Sequence, residues 1–457
     1  MFQLCENLFL TLVKLDMQAL TRKLESSKFL FIAWSMIAAF GAYFCVYAFR
    51  KPFNAGTYAG LEWMGMNYKA VLIIAQVLGY MLSKFIGIKV ISELTASKRI
   101  VLIISLILIA EISLVAFGLV PAPYNFIFLF FNGLPLGMVW GIVFSYLEGR
   151  RFTETLGMGL SISLIVSSGI LKTIYLFIAK LFPGISEFWM PAFIGAIFLP
   201  LFLFFVWMLS RIPPPSDTDK LLRVERLPMT QEDKRKVVRE LGWGIGSMVA
   251  LYSLLATLRD FRDNFSVEIW EEIQPSRDIT VFSQTELVTG AVVILVVGSL
   301  SFFRSNIKGF WFTLQLMGFG ILLSGLSSLL FQYKLIEPYW WMLLLGMGLF
   351  LAYIPIQVAV FERIIALFKL KANAGFFIYI CDSIGYLGSV GLLLYKQFFM
   401  RDLQWSKVLL NFSYFTTLFC IALLLLLSFF FNRNWGYSRR LQKNYRTFQF
   451  IKLNKNG

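Results

Sequence analysis

The stretch Arg211–Glu240, RIPPPSDTDKLLRVERLPMTQEDKRKVVRE, divides the chain into two apolar halves. Three consecutive prolines follow its first two residues, and a dense mixture of charges comes after them, a composition typical of a solvated connection. On each side of it lie six apolar runs long enough to cross a bilayer as helices. This arrangement predicts two six-helix bundles related by an axis along the membrane normal.

The composition supports a membrane protein with many spans. Of the 457 residues, 58% are hydrophobic and 15% are charged, and the mean hydropathy is +0.72. These values exclude an ordinary soluble domain, and the runs are continuous rather than alternating, which excludes a barrel. The twelve predicted spans lie near 29–50, 68–88, 100–120, 124–147, 156–180, 188–210, 242–258, 286–303, 309–331, 338–361, 374–396 and 406–431.

The distribution of basic residues predicts the orientation. We count 29 Lys and Arg residues in the termini and connections on the linker side and ten on the other side. The positive-inside rule therefore places both termini in the cytoplasm, and a bacterial inner membrane is the expected location. The net charge of +16 is explained by anionic lipid headgroups and does not call for nucleic acid.

The same reading divides the chain into five regions. They are a cytoplasmic N-terminal segment (1–28), a first bundle (29–210), a cytoplasmic linker (211–241), a second bundle (242–431) and a basic cytoplasmic tail (432–457). We expect a monomer in the lipid bilayer.

The sequence lacks the usual signatures of enzymes and metalloproteins. It contains no histidine, and its four cysteines are scattered at positions 5, 45, 381 and 420. No metal site or disulfide framework is expected, and no nucleotide-binding motif is present. We therefore expect neither a cofactor nor an enzymatic activity.

Two spans of the first half carry cations together with polar side chains at helical spacing. Tyr43, Tyr47 and Arg50 share one helix face, and in the second span Tyr80 and Lys84 do the same. An ionisable group at membrane depth costs about 3 kcal/mol, so each requires a reason. One reason is a binding site. The other is an anchor, because Arg50 and Lys84 are each near enough to a span end to reach an interface.

The second half repeats the pattern. Tyr252 and Arg259 share a face of the seventh span, and Arg259 is expected to close that span as Arg50 closes the first. Asp382 lies roughly ten residues, or about 15 Å, into the eleventh span, where a carboxylate reaches neither surface. Lys51 and Lys172 are expected to be interfacial anchors.

Together these residues predict an anion site. Arginine forms bidentate hydrogen bonds with phosphate or carboxylate and keeps its charge at all relevant pH values. Two arginines and Lys84 against Asp382 leave positive charge in excess, which favours a small anionic solute. We expect Asp382 to offset part of that charge by pairing with Arg259 or Lys84.

The Glu-Arg pairs at the ends of spans 4 and 10 are expected to be gate or structural charges: Glu148, Arg150, Glu362 and Arg363.

Several short motifs occur in the order found in one transporter family. They are Tyr43 and Tyr47 with RKPF (Arg50–Phe53), YMLSKF (Tyr80–Phe85), LR (Leu258–Arg259) followed by Asp263, and GYLGSV (Gly385–Val390). With these motifs the chain resembles the organophosphate:phosphate antiporters of the major facilitator superfamily (glycerol-3-phosphate and hexose-phosphate transporters), as an uncharacterised bacterial branch. The resemblance implies a phosphate site formed by Arg50, Arg259, Lys84, Tyr43, Tyr47 and Tyr80.

The chain also departs from that family. The loop after the second span reads GIKVISELTASKR in place of the family's Gly-x-x-Ser-Asp-Arg pattern, and the histidine of the fifth helix has no counterpart. Asp382 is not part of the pattern either. Three functions therefore stay open. They are transport of a small phosphorylated or otherwise anionic metabolite, with exchange for inorganic phosphate as one mode, proton-coupled symport of another small solute through Asp382, and ligand sensing by a transporter-like fold.

Overall fold

The structure, a computed structural model, describes residues 23–92, 98–147, 153–214, 231–303, 305–368, 374–400 and 402–453. Within these ranges, twelve helices are long and apolar enough to cross a membrane, and each corresponds to one of the predicted spans. The chain is therefore a multi-pass membrane protein with a predominantly helical fold.

The first bundle contains six helices, which run alternately up and down. They are α1 (Lys28–Ala48), α2 (Tyr68–Ser92), α3 (Arg99–Leu119), α4 (Phe126–Leu147), α5 (Thr153–Leu181) and α6 (Met190–Ser210). Between α1 and α2 lie a 3-10 turn (Pro52–Ala55) and a two-stranded hairpin of β1 (Glu62–Trp63) and β2 (Met66–Asn67). The strands are antiparallel, with Trp63 opposite Met66.

The second bundle repeats this order with two differences: a short helix follows its first span, and its fourth span is divided into two helices. Its helices are α7 (Gln231–Asn264), the short α8 (Ser266–Ile273), α9 (Val281–Gly298), α10 (Asn306–Gln332), α11 (Pro338–Pro355), α12 (Phe361–Phe368), α13 (Ala374–Phe399) and α14 (Trp405–Leu453). A 3-10 turn (Ser299–Phe302) follows α9, and a π-helix (Ile356–Val360) joins α11 to α12 within one span. We call the side where α6 ends the linker face, and the side where α1 ends the opposite face.

Two predicted spans differ in their bounds from the observed helices, because hydropathy underestimates helices with polar ends. Helix α7 begins at Gln231, inside the expected linker, and continues past Arg259 to Asn264. Arg259 therefore lies within the helix and does not close it. Helix α9 begins at Val281 and not near 286. Hydropathy missed its first turns because they contain polar residues that face the other bundle: the backbone N–H of Ser283 donates to Thr173.

Close packing of α2 against α4 stabilises the first bundle. A Cβ on Gly79 would lie 2.1 Å from the carbonyl oxygen of Phe130, and one on Gly133 would lie 2.2 Å from that of Gln76. Only glycine permits this separation of the two backbones. The bundles meet mainly where α5 packs against α9 and α2 packs against α13.

Candidate functional site

A small cavity of about 30 Å³ lies between the two bundles. Its lining includes every residue predicted to bind the solute and the predicted charge-balancing acid: Tyr43, Tyr47, Arg50, Tyr80, Lys84, Arg259 and Asp382. It also includes side chains from the second bundle that the sequence analysis did not assign to the site, among them Tyr353 and Gln357. The structure thus brings the predicted set into one place.

Arg50 is a buried cation without a carboxylate partner among the described residues. Its guanidinium carbon lies 3.9 Å from the centre of the Tyr80 ring and 5.9 Å from that of Tyr47. The Nε atom of Arg50 has no hydrogen-bond partner among the described residues. Aromatic faces attract a cation but do not neutralise it, so Arg50 keeps an uncompensated positive charge beside the cavity.

Side chains of α2 and α4 fix the backbone at Arg50. Gln76 Nε2 donates to the Arg50 carbonyl at 2.9 Å, and Asn132 Nδ2 donates to the Phe49 carbonyl at 3.0 Å. Gln76 also donates to Asn132 Oδ1 at 2.7 Å. Carbonyls at the end of a helix lack partners within the helix. The two amides supply these partners and so position Arg50.

Four tyrosines surround this cation. The rings of Tyr43 and Tyr47 meet edge to face with centroids 5.6 Å apart, and the rings of Tyr80 and Tyr386 do so at 5.2 Å. The hydroxyls of Tyr43 and Tyr80 are 3.5 Å apart. Tyr386 belongs to α13, so both bundles contribute to this aromatic group.

Lys84 and Asp382 form an ion pair inside the cavity, with 3.1 Å between Nζ and Oδ2. The hydroxyl of Tyr252 donates to the other oxygen of Asp382. Asp382 therefore pairs with Lys84, one of the two partners expected for it. Since Lys84 belongs to α2 and Asp382 to α13, the pair joins the two bundles.

Arg259 is compensated within its own helix, which the sequence analysis missed. Its Nη2 lies 2.7 Å from Asp260 Oδ1, and its guanidinium carbon lies 4.5 Å from the centre of the Tyr353 ring. Asp260 also accepts a hydrogen bond from Ser389. The sequence analysis set two arginines and Lys84 against Asp382 alone, and Asp260 corrects this balance. Among the described residues, three cations face two carboxylates, and the excess positive charge belongs to Arg50.

Helix α11 and the π-helix add a polar cluster that the sequence analysis also missed. The hydroxyls of Tyr252 and Tyr353 are 2.6 Å apart. Gln357 Nε2 donates to both, at 2.9 and 3.0 Å. The available signal was the spacing of Tyr353 and Gln357, which lie four residues apart on an apolar span beside Pro355.

Lys51 and Lys172 are not interfacial anchors, contrary to expectation. Both are buried at the opposite face, where each lies 2.6 Å from a carboxylate oxygen of Asp263. Lys51 also donates to Asn264 Oδ1 at 2.9 Å. Since both lysines belong to the first bundle and Asp263 to the second, Asp263 joins the bundles at this face.

Further contacts tie the opposite face together. Lys69 is fully buried and forms an ion pair with Glu268 of α8. Asn54 Nδ2 donates to Asn264 Oδ1 at 2.8 Å, and the backbone N–H of Asn67 donates to Gln397 at 3.2 Å. The cavity is therefore closed toward this face.

The predicted gate charges are only partly described. Glu148 and Arg150 lie outside the described residues. Glu362 is exposed near the linker face. Arg363 is buried and donates to the carbonyl of Leu300 at 2.9 Å, a contact within the second bundle. This contact indicates a structural role for the charge of Arg363.

The fold is that of major facilitator transporters. The nucleoside transporter NupG matches with a TM-score of 0.57 and 14% identity over 86% of this chain and 98% of that one. A bacterial homologue of the human lysosomal transporter Spinster matches with a TM-score of 0.59 and 15% identity over 89% and 99%. A D-xylose–proton symporter matches with 0.52 and 13% over 86% and 97%.

The chain belongs to a family of unknown function, DUF5690, whose profile matches residues 52–434. No curated protein matches it in sequence.

Proposed function

We propose that the protein is a secondary transporter that carries a small organic anion, a phosphate monoester, across the membrane in exchange for inorganic phosphate. The two bundles, which we assign to 29–210 and 242–431, rock about the central cavity, so that the site opens alternately to each side. The fold supports transport, because the solved structures that share it include a nucleoside transporter and a D-xylose–proton symporter.

The charge balance of the cavity carries this proposal. Lys84 is paired with Asp382 and Arg259 with Asp260, whereas Arg50 has no carboxylate partner among the described residues. A buried charge without a partner is costly, and an anionic solute supplies the missing charge. The cavity therefore favours an anion over a cation or a neutral sugar.

The chemistry of Arg50 favours phosphate in particular. Its planar fork offers two parallel N–H donors, which match two oxygens of a phosphate group. The neighbouring hydroxyls of Tyr43, Tyr47 and Tyr80 supply further donors. The resemblance of RKPF and YMLSKF to the organophosphate antiporters points to the same ligand class, and the tyrosine rings suit an organic moiety beside the phosphate.

The ties at the opposite face support alternating access. Ion pairs of Asp263 and Glu268 hold the two bundles together there, and the cavity opens to that side only when these contacts break. Ion pairs suit a gate because water replaces the partners of each charge once the face opens. We assign this face to the outside of the cell.

Transport in proteoliposomes tests the proposal. Vesicles loaded with inorganic phosphate should take up labelled phosphate, and external glycerol 3-phosphate should compete. The variant Arg50→Ala should lose uptake. The matched control Lys334→Gln removes an exposed cation that does not line the cavity, and it should transport like the wild type. Uptake that survives in Arg50→Ala would refute the anion site. Binding without flux would favour a sensor.

Proton-coupled symport is the second candidate, because a carboxylate lies in the cavity. Asp382 is held by Lys84 and Tyr252, and its protonation would release Lys84 and uncouple the bundles. In that case a pH gradient drives uptake without counter-substrate, and Asp382→Asn abolishes this uptake while exchange continues. Exchange that is indifferent to a pH gradient would exclude this mode.

A further inference from the structure

The amide of Gln357 has an acceptor without a hydrogen-bond partner in the described part of the chain. Gln357 lines the cavity, and its Oε1 is buried without a hydrogen-bond partner among the described residues. A buried acceptor that stays unpaired costs about 1–3 kcal/mol. A cavity lined by a residue with such an atom is suited to a ligand with a matching donor.

The hydrogen bonds around Gln357 determine which end of its amide is free. Tyr252 gives its proton to the carboxylate of Asp382, so the proton between the two phenols comes from Tyr353. Both phenolic oxygens then act as acceptors toward Gln357. The NH₂ group must face them, and the carbonyl oxygen Oε1 is the end left unpaired.

The backbone at this residue is unusual. Gln357 is the second residue of the π-helix Ile356–Val360, which directly follows Pro355. Proline has no N–H for the helical ladder, and single π-turns within helices occur frequently at functional sites. The irregularity places Gln357 at the cavity beside Tyr353, whose ring contacts Arg259.

We propose that Gln357 Oε1 accepts a hydrogen bond from a hydroxyl group of the transported solute. The solute then has two recognition points, an anionic group at Arg50 and a hydroxyl at Gln357, which defines a hydroxylated phosphate ester. This inference rests on the anion transport proposed above. It adds that the second bundle selects the organic part of the solute and that Gln357 is the residue which does so.

Binding of three probes to the purified protein tests this inference. They are inorganic phosphate, glycerol 3-phosphate and propyl phosphate, which has the same carbon chain but no hydroxyl. The wild type should bind glycerol 3-phosphate roughly tenfold more tightly than propyl phosphate. In Gln357→Met, which retains the side-chain length, this preference should disappear while the affinity for inorganic phosphate stays unchanged. Unchanged phosphate binding also shows that the variant is folded, and Gln357→Leu repeats the test with a different shape.

Tyr414→Phe is the matched control, because it removes a hydroxyl that donates to Gln332 at an exposed position and does not line the cavity. It should keep the preference for glycerol 3-phosphate. Equal affinity of the wild type for the two esters, or a preference that survives in both Gln357 variants, overturns the inference but leaves the anion site standing. If none of the three probes binds, the anion site itself is wrong and the inference falls with it.

Discussion

Lys84 and Asp382 approach to 3.1 Å between Nζ and Oδ2 and join the two bundles from inside the cavity. Lys84 is on α2 and Asp382 is on α13, so the pair must separate or rearrange whenever the bundles move apart. Arg50, close by, has no such partner in the described chain. The cavity thus contains the Lys84–Asp382 ion pair, which links the bundles, and Arg50, whose charge an anionic solute can neutralise.

We expect removal of one partner of this pair to destabilise the protein. Asp382→Asn leaves the charge of Lys84 buried and unpaired, which should cost about 3 kcal/mol. The double variant Lys84→Met/Asp382→Asn should recover most of this loss. Thermal denaturation in detergent measures both. Glu271→Gln is the control, because it breaks the pair with Arg277 at an exposed position and should cost less than about 1 kcal/mol. Equal losses in the single and double variants would contradict the prediction.

The geometry of Arg50, and not only its charge, should matter. In Arg50→Lys the cation remains but the two parallel donors are lost, so phosphate affinity should fall about tenfold. Titration calorimetry with inorganic phosphate measures this change. Arg277→Lys offers the same substitution outside the cavity and should bind phosphate normally. An Arg50→Lys variant with wild-type affinity would mean that charge alone is recognised.

Asp263 should control access from the opposite face. Asp263→Asn removes the negative charge that holds Lys51 and Lys172, so this face should open more often. A cysteine in place of the buried Ser266 reports the opening through its rate of maleimide labelling, which should rise several-fold with Asp263→Asn. Asp278→Asn changes an exposed aspartate on the same side and should leave the rate unaltered. A rate that does not respond to Asp263→Asn would show that other contacts close this face.

The orientation in the membrane can be tested with single cysteines. In a background with Cys5 replaced by serine, Gly184→Cys at the opposite face should react with an impermeant maleimide added to intact cells. Pro214→Cys at the linker face should react only after permeabilisation. The excess of basic residues on the linker side gives the physical reason. The reverse labelling pattern would place the linker outside.

The packing of α2 on α4 predicts a stability effect. Gly133→Ala places a methyl group 2.2 Å from the carbonyl oxygen of Gln76, so the helices must separate and the support of Arg50 by Gln76 is disturbed. We expect a fall in Tm together with weaker phosphate binding. Gly184→Ala meets no atom within 4 Å and should change neither. A Gly133→Ala protein as stable as the wild type would contradict the close approach.

The sequence predicted the fold and brought forward residues that line one cavity, but it did not predict how their charges pair. Apolar runs identified twelve spans because each must cover the bilayer with side chains, and polar stripes at helical spacing identified Arg50, Lys84, Arg259 and Asp382. Asp260 was missed because it is adjacent to Arg259 in sequence and adds no stripe of its own. Lys51 and Lys172 were misread because their partner, Asp263, lies on the other bundle.

The sequence by itself determined that the chain crosses the membrane as two helical bundles and that cations lie where lipid should exclude them. Both follow from local composition, since burial in a bilayer applies to each segment separately. Only the tertiary structure decided which charges remain unpaired. Ion pairs form over a few ångströms between helices that are distant in sequence. This proximity assigns Asp382 to Lys84 and Asp263 to two lysines, and it leaves Arg50 without a carboxylate partner among the described residues.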